Sequence, residues 1–336
     1  MSSILNFMLN TPPVRNRGSF VVPQIVSYNN AAIQYLGRWN DTGSGMWSGW
    51  GCGQIVFKVS GTSYLTVVSD TLDPDTTALE VCSVDIDNTS ASATDYYWST
   101  ASQITNGLKS VTISLPNTSE HTIILKTNGY LAYIYAETSK ATIKQFIIES
   151  GGTISTWTQG AKRIQCVGDS WMGASNDWPR LMSTTDYNLY PIATGGMTCA
   201  DMNSRYNFDY SGHTNTTDTT ADAVIVSYGV NDFNSGISQA SFEVSMGQLV
   251  DKIRVKQATA KIFLIRCVSN TVTGDDFGKY GTNMSNVAAA KANCYYINTS
   301  SLDATMTWAS DNYHLSSASK QTLADFVKAV LVSNGI

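Results

Sequence analysis

The sequence predicts two folded parts, an all-β sandwich followed by an α/β domain whose parallel sheet has helices on both faces. Residues 33–150 contain short apolar strands separated by turn residues, with no helical period between them. After residue 160 apolar strands alternate with amphipathic segments of helical length. The chain has 336 residues, of which 43% are hydrophobic, so there is enough apolar material for two cores.

The first part is expected to hold seven or eight strands in a jelly-roll-like sandwich. Seven of them are predicted at residues 53–59, 64–69, 79–86, 110–115, 121–127, 130–137 and 143–149. Asn128-Gly129 predicts a type I′ hairpin turn between two of these strands. We expect an N-terminal arm, a sandwich domain with a linker at its end, and an α/β domain. The arm covers residues 1–25, the sandwich domain residues 26–158 and the α/β domain residues 159–336. The linker, residues 151–160, spans the boundary between the two domains.

The second part is expected to alternate strands with helices. The strands are predicted at 163–168, 187–193, 221–229, 261–269 and 294–299, and the helices near 173–183, 198–206, 238–257, 283–292 and 317–333. Buried strands joined by helices predict a parallel sheet. In such sheets ligands bind beyond the carboxyl ends of the strands, so the functional residues are sought there.

Composition excludes some functions. Charged residues make up 14% of the chain and the net charge is −5, with no cluster of basic residues, which argues against nucleic acid as a partner. No run of 18 apolar residues occurs, so no membrane span is predicted. The N-terminus lacks a basic segment before its apolar residues, and we expect an arm there rather than a signal peptide. The six cysteines have no metal-ligand spacing and are expected to be buried free thiols.

Small polar groups follow three of the predicted strands, and a fourth group lies just before the last predicted helix. They are Gly168-Asp169-Ser170, Thr194-Gly195-Gly196, Gly229-Val230-Asn231-Asp232 and Asp311-Asn312-Tyr313-His314. Each short motif alone is common in a chain of this length. The GDS, GxND and DxxH motifs in this order would arise by chance in fewer than roughly one such chain in a thousand.

The four groups contain the residue types that an acyl-transfer reaction needs at one site. A serine hydroxyl needs a base to act as a nucleophile, and the chain holds only three histidines. His121 is expected to be a surface or cross-strand residue of the sandwich, and His213 a solvated loop residue. His314 remains as the base for Ser170, and Asp311 can orient its ring. The alternative for Asp311 and His314 is a role in capping the last helix.

Hydrolysis of an ester also needs donors for the developing oxyanion. The backbone N–H of Ser170, a glycine N–H and the side-chain amide of Asn231 are the candidates. Gly195 and Gly196 both fit the second group, and we favour Gly196. The alternative for Asn231 is an Asx turn that closes the strand, and Asp232 is expected to brace the loop.

These residues resemble the four blocks of the SGNH (GDSL-type) hydrolases, in the right order and over about residues 160–336. The resemblance implies a flavodoxin-like three-layer α/β/α domain. It implies Ser170 as the nucleophile and His314 as the base, with Asp311 completing the triad. It further implies that Ser170, Gly196 and Asn231 supply the oxyanion donors, and that no metal or cofactor is required.

The first part carries a narrower likeness. Residues 35–63, with Gly37-Arg38-Trp39 and the later F-x-V-x-G-T, are similar to the start of the jelly roll that precedes some SGNH carbohydrate esterases. Those enzymes remove acetyl groups from polysaccharides, and similar two-domain units occur in bacteriophage tail spikes. The resemblance implies an acetylated polysaccharide as substrate and an extracellular or virion-associated protein. It also implies a homotrimer that binds other virion proteins.

Two aromatic residues flank the predicted site, Trp171 after the nucleophile and Tyr313 before the base. Their rings are expected either to stack on a sugar or simply to wall the pocket. Two other functions remain open at this point. One is a lipid esterase or thioesterase on the same fold, and the other is a glycan-binding virion adsorption module without activity.

Overall fold

A computed structural model describes residues 22–47, 54–71, 80–87, 94–97, 102–103, 108–126, 141–158, 162–173, 178–182, 187–207, 217–218 and 220–336. Within these residues the strands form three sheets, of eight, six and five strands. The first two sheets are antiparallel and pack against each other, and the third is parallel with helices on both faces. The chain therefore has the predicted architecture of a β-sandwich followed by an α/β domain.

Strands are numbered in chain order. Those of the two antiparallel sheets are β1 (Gln24–Ser27), β2 (Gln34–Leu36), β3 (Arg38–Asp41), β4 (Met46–Trp47), β5 (Gln54–Ser60), β6 (Tyr64–Thr71), β7 (Glu80–Ile86), β8 (Thr94–Tyr97), β9 (Ser102–Gln103), β10 (Leu108–Ser114), β11 (His121–Lys126), β12 (Ala141–Ile148), β13 (Thr153–Ser155) and β16 (Thr217–Asp218). The first sheet has the order β16-β3-β4-β12-β6-β10-β9, with β1 beside β12, and the second has the order β13-β5-β11-β7-β8, with β2 beside β5.

The core of the sandwich lies between these two sheets. Phe57 of β5 and Phe146 of β12 come from opposite sheets, and their ring centroids are 5.2 Å apart in an edge-to-face contact. Val67, Ile123 and other buried apolar residues of both sheets complete the same cluster. Alternate residues of each strand point to this shared interior, as expected for two stacked sheets.

The structure confirms six of the seven strands predicted in the first part, with ends shifted by a few residues. The strand predicted at 130–137 and the turn at Asn128-Gly129 lie outside the described residues, so the jelly-roll connectivity stays a prediction. The linker prediction was wrong in one respect: residues Thr153–Ser155 form β13, which pairs with β5. Strand β1 begins at Gln24, which pairs with Ile148, and the bounds of the arm stay a prediction.

The parallel sheet contains β14 (Lys162–Gly168), β15 (Tyr187–Ala193), β17 (Ala223–Ser227), β18 (Lys261–Ile265) and β19 (Cys294–Ile297). Its spatial order is β15-β14-β17-β18-β19, which is the flavodoxin-like order 2-1-3-4-5. All five predicted strands are present. Strands β15, β17 and β18 are buried along nearly their whole length, which explains why they do not alternate apolar and polar residues, whereas β19 at the edge is mostly half-buried.

Helices cover the two faces of this sheet. They are α1 (Ser170–Gly173), α2 (Trp178–Leu181), α3 (Cys199–Arg205), α4 (Val230–Asn234), α5 (Gln239–Lys256), α6 (Gly281–Ala290) and α7 (Ser317–Ser333), and a 3₁₀ helix (Phe277–Tyr280) precedes α6. Residues of α3, α5 and α6 share one apolar cluster with one face of the sheet. Residues of α1, α2 and α7 share a second cluster with the other face, which gives three layers.

Two helices differ from the sequence prediction. The helix expected near 173–183 begins earlier, at Ser170, and its described residues form the two short helices α1 and α2. Helix α4, which follows β17 and carries Asn231, was not predicted because five residues are too few to show a helical period. Among the described helices, none combines the length and apolarity that a membrane crossing would need.

The sandwich and the α/β domain share a buried contact surface. The Arg38 side chain of β3 is buried, donates a hydrogen bond to the Tyr206 carbonyl, and lies 4.2 Å from the centre of the Tyr206 ring. Gln54 of β5 donates to the Leu189 carbonyl at 2.6 Å. Strand β16, which belongs to the second part of the chain, pairs with β3. The boundary between residues 158 and 159 stays a prediction.

Candidate active site

Three of the four polar groups follow neighbouring strands of the parallel sheet. Strand β14 lies between β15 and β17, so the segments after these strands meet at one edge. The Tyr228 hydroxyl donates to the Gly168 carbonyl at 2.9 Å and ties the end of β17 to the end of β14. Ser170 is the first residue of α1 and is half-buried at this edge.

Ser170, His314 and Asp311 form a continuous chain of hydrogen bonds. The distance from Ser170 Oγ to His314 Nε2 is 2.9 Å, and the distance from His314 Nδ1 to Asp311 Oδ2 is 2.6 Å. A neutral imidazole that donates from Nδ1 to a carboxylate presents Nε2 as an acceptor. This arrangement can therefore remove the proton from the serine hydroxyl.

Asp311 is held in its ionised form. Burial acts to raise its pKa, but the backbone N–H and the ring of His314 and the backbone N–H of Tyr313 donate to the carboxylate and lower the pKa to about 2. The structure does not support the alternative in which Asp311 or His314 caps the last helix, α7. The N-cap of α7 is Ser316, whose side chain accepts from the Ser319 N–H.

Asn231 lies between the first two loops of the site. Its Nδ2 is 3.1 Å from Asp169 Oδ2 and 3.1 Å from the Met197 carbonyl. Asp169 precedes the serine and Met197 follows Gly196, so the amide touches the neighbours of both other predicted donors. Each of the two amide hydrogens already has an acceptor, and donation to an oxyanion requires that one of them be shared or released.

The Gly195–Gly196 turn lies at the end of β15, beside that amide. Gly196 is exposed and has a φ of 78°, a left-handed conformation that a glycine adopts without strain. Helix α3 begins just after the turn and has Thr198 as its N-cap, with a capping box to Asp201. In the described part of the chain, neither Gly195 nor Gly196 has an acceptor for its N–H. The choice between them as donor therefore stays a prediction.

Asp232 braces the loop, as expected from its position. Its side chain is fully buried and accepts the Cys199 N–H at 3.1 and 3.2 Å, joining α4 to the start of α3. Burial raises the pKa of Asp232 to about 6, although the Cys199 N–H acts in the opposite direction. The residue thus connects the loops that carry Gly196 and Asn231.

The two aromatic residues have different surroundings. Trp171 is only 4% exposed, and its indole N–H donates to the Tyr313 carbonyl at 3.1 Å. Tyr313 is 46% exposed beside His314. The structure therefore favours a wall role for Trp171, while Tyr313 keeps a ring accessible to a ligand. Contact of either ring with substrate stays a prediction.

The other histidines lie away from this site. His121 is buried in the sandwich and pairs across strands with Val59 of β5, with Nδ1 2.7 Å from Asp87 Oδ2, so the cross-strand alternative is confirmed and the surface alternative is not. His213 lies outside the described residues. The thiols of Cys166, Cys199 and Cys267 are buried and free, as expected, and burial raises the pKa of Cys267 to about 12. Cys294 is also free but only half-buried, which the expectation of buried thiols did not foresee.

One residue of the site's surroundings was missed by sequence reasoning. Asn270 is buried in the segment after β18, and its amide donates to the Asn312 carbonyl at 2.9 Å. Asn312 belongs to the loop that carries Asp311 and His314. No short motif surrounds Asn270, and its contact joins residues 42 positions apart, so no local pattern could have revealed it.

Comparison with protein families identifies the second part of the chain. The profile of the family described as GDSL-like Lipase/Acylhydrolase matches residues 157–321, which include all four groups of site residues. No curated protein has a matching sequence.

Solved structures extend the likeness to both parts of the chain. A family two carbohydrate esterase from Clostridium thermocellum, in complex with cellohexaose, has 16% identity and a TM-score of 0.68, covering 90% of this chain and 98% of that chain. A family two carbohydrate esterase from Cellvibrio japonicus has 16% identity and a TM-score of 0.69, with 92% and 97% covered. An acetyl xylan esterase from Butyrivibrio proteoclasticus has 14% identity and a TM-score of 0.67, with 93% and 98% covered.

At these identities the likeness to solved structures shows a shared fold that includes the sandwich. The family match covers the described polar groups and the sheet that positions them. Residues 157–321 are therefore a GDSL-like hydrolase domain of the SGNH type, and the protein is a carboxylic ester hydrolase.

Proposed function

We propose that the protein is a serine esterase that hydrolyses O-acetyl groups of a polysaccharide through an acyl-serine intermediate. The observation that carries this proposal is the hydrogen-bonded chain from Ser170 through His314 to Asp311. It gives a half-buried serine a base and gives that base an ionised partner. The roles of these three residues are part of the proposal.

The reaction begins when His314 Nε2 takes the proton of Ser170 Oγ, and that oxygen attacks the acetyl carbonyl carbon. The backbone N–H groups of Ser170 and Gly196 and the amide of Asn231 donate to the oxyanion. His314 then returns the proton to the sugar oxygen, the ester C–O bond breaks, and acetyl-Ser170 remains. Water attacks this acyl group with His314 as base, acetate leaves, and the proton returns to Ser170.

Two observations support an acetylated carbohydrate as the substrate. The solved structures described above are carbohydrate esterases, one of them an acetyl xylan esterase, and they share both parts of the fold. Tyr313 is half-exposed next to the proposed base and offers an aromatic face of the kind that stacks on sugar rings.

The test is acetate release from p-nitrophenyl acetate and from a panel of acetylated polysaccharides, by the wild type beside Ser170→Ala. We expect release from the small ester and from at least one polysaccharide, and none above background from the variant. Release from lipid esters or thioesters alone would replace the proposal with a lipid esterase or thioesterase. Polysaccharide binding by a folded wild type that releases no acetate would favour the adsorption module.

We further propose that the protein works outside the cell as a homotrimeric tail spike of a bacteriophage, in contact with other virion proteins. Its two-part layout and its low share of charged residues, 14%, support this setting. Light scattering of the purified protein measures its molar mass, and we expect three times the 36.4 kDa of one chain. A monomer at micromolar concentration would contradict the trimer.

A further inference from the structure

The proposed base lies on a tight loop before α7. The Ala309 N–H donates to the His314 carbonyl at 2.7 Å, and the Asn312 N–H donates to the Ala309 carbonyl at 3.0 Å. Asn312 has a φ of 59°, a left-handed conformation that costs a non-glycine residue free energy. Such a loop keeps one shape only where the surrounding residues fix it. We call residues 309–314 the base loop.

Trp171 contacts the base loop from the nucleophile's side. It follows Ser170 in α1, and its indole N–H donates to the carbonyl of Tyr313, the residue before His314. The ring lies among buried apolar residues, with its centroid 5.9 Å from that of Trp308. A rigid, buried side chain therefore joins the neighbour of the proposed nucleophile to the neighbour of the proposed base.

Asn270 contacts the same loop from another element. Its Nδ2 donates to the Asn312 carbonyl at 2.9 Å, while its Oδ1 accepts the N–H groups of Val272 and Thr273 at 3.0 and 3.3 Å. The Asn270 side chain is only 1% exposed, although the three residues whose backbone groups it bonds are exposed. Asn270 thus fixes the residue of the base loop that has the strained backbone.

We propose that Trp171 and Asn270 are positioning residues that hold the base loop at two successive carbonyls and so keep His314 within hydrogen-bonding distance of Ser170. This inference rests on the proposed function, because it assigns a task to the Ser170–His314 pair. It gives Trp171 a role that differs from stacking on substrate. It also explains why the pair is 2.9 Å apart although the base loop is exposed at Asp311, Asn312 and Tyr313.

The first test is Trp171→Phe, which keeps an aromatic ring in the core and removes the indole donor. A displacement of about 1 Å between reacting groups costs up to about 100-fold in rate, so we expect kcat to fall by about 10- to 100-fold. KM should change by less than about twofold, because a residue that only positions the base loop makes no contact with the substrate. The matched control is Trp178→Phe. Trp178 is buried in the same apolar cluster, but its indole N–H has no acceptor among the described residues.

The second variant is Asn270→Asp, which keeps the size of the side chain and the two hydrogen bonds that Oδ1 accepts. It replaces the donor to the Asn312 carbonyl with an oxygen that repels it. We expect the same loss of kcat at nearly constant KM. Both variants should also react more slowly with a small organophosphonate, by about the same factor as kcat, because that reagent needs the serine and its base but no glycan contact.

Three results decide the inference when Ser170→Ala is measured in parallel. Losses of kcat and of phosphonylation rate in both variants, with Trp178→Phe within about twofold of wild type, support the inference. Wild-type kcat in Trp171→Phe and Asn270→Asp, while Ser170→Ala is inactive, overturns it and leaves the proposed function standing. A wild type that neither turns over esters nor reacts with the phosphonate overturns both, since no reactive Ser170–His314 pair then exists to be positioned.

Discussion

The proposed oxyanion role of Asn231 requires a change in the hydrogen bonds that its side chain makes in this structure. Its amide has acceptors at Asp169 and Met197, so it must share or release one hydrogen to bind an oxyanion. Loss of one oxyanion donor typically costs about 10²–10³ in kcat. We therefore expect Asn231→Ala to lower kcat by that factor in steady-state assays with p-nitrophenyl acetate.

Asn234 supplies the control for this prediction. It lies on the same helix and is exposed, so Asn234→Ala should leave kcat within about twofold of wild type. A loss of less than about threefold in Asn231→Ala would remove Asn231 from the oxyanion role. Its amide would then serve only to join the loops after β14 and β15.

Asp311 and His314 determine how activity should depend on pH. The pKa of Asp311 is lowered to about 2, so this carboxylate stays ionised throughout the range in which the protein is assayed. A histidine base loses its function when it takes up a proton. We therefore expect kcat/KM to fall as pH is lowered from 8 to 5, in buffers where the protein remains folded. A flat profile over this range would argue against a histidine base.

At the scale of elements, Gly229 determines how α4 begins. Its φ is 145°, and a Cβ at this position would lie 2.9 Å from the Phe277 carbonyl oxygen. Gly229→Ala combines backbone strain with a clash against backbone, and we expect it to lower the free energy of unfolding by about 3 kcal/mol. Urea denaturation followed by tryptophan fluorescence measures this loss.

Gly236, at the other end of α4, is the matched control for Gly229. It also has a positive φ, 65°, but a Cβ there meets nothing within 4 Å. Gly236→Ala should therefore cost about 1 kcal/mol, from the backbone conformation alone. Equal losses in the two variants would show that the contact with Phe277 is unimportant.

Some elements of the fold could be predicted from the sequence alone, and some contacts between them could not. The apolar strands of the parallel sheet and the last helix, α7, could be predicted because their patterns are local. The four polar groups could be found because three of them follow strands of this sheet and the fourth lies just before α7. The contacts of Trp171 and Asn270 could not, since both join residues far apart in the chain and depend on the packed fold. A tryptophan at position 171 is compatible both with stacking on a sugar and with a hydrogen bond to a loop, so the sequence does not distinguish these two roles.

For the whole molecule, the buried contacts between the sandwich and the α/β domain predict a single folding unit. Leu36, Val56 and Ile124 of the sandwich belong to the same apolar cluster as the residues beneath α5. Arg38 adds a buried hydrogen bond to Tyr206. We expect calorimetry to show one cooperative unfolding transition for both parts. Two separate transitions would contradict this.

A variant of Arg38 tests the same point. Arg38→Met keeps much of the volume of the side chain and leaves the buried Tyr206 carbonyl without this donor, which costs about 1–3 kcal/mol. The whole transition should move to lower temperature, because both parts unfold together. A shift confined to one of two transitions would mean that the parts fold independently. The sequence could not predict this surface, because the strand pattern of each part is complete without the other.

In the proposed mechanism Ser170 carries the acyl group during turnover. Intact-mass spectrometry of protein quenched in acid during turnover of p-nitrophenyl acetate tests it directly, with peptide mapping to locate the added group. We predict a gain of one acetyl group on the peptide that contains Ser170, absent from Ser170→Ala. Turnover by Ser170→Ala at the wild-type rate, or an acetyl group that maps consistently to another residue, would contradict the claim.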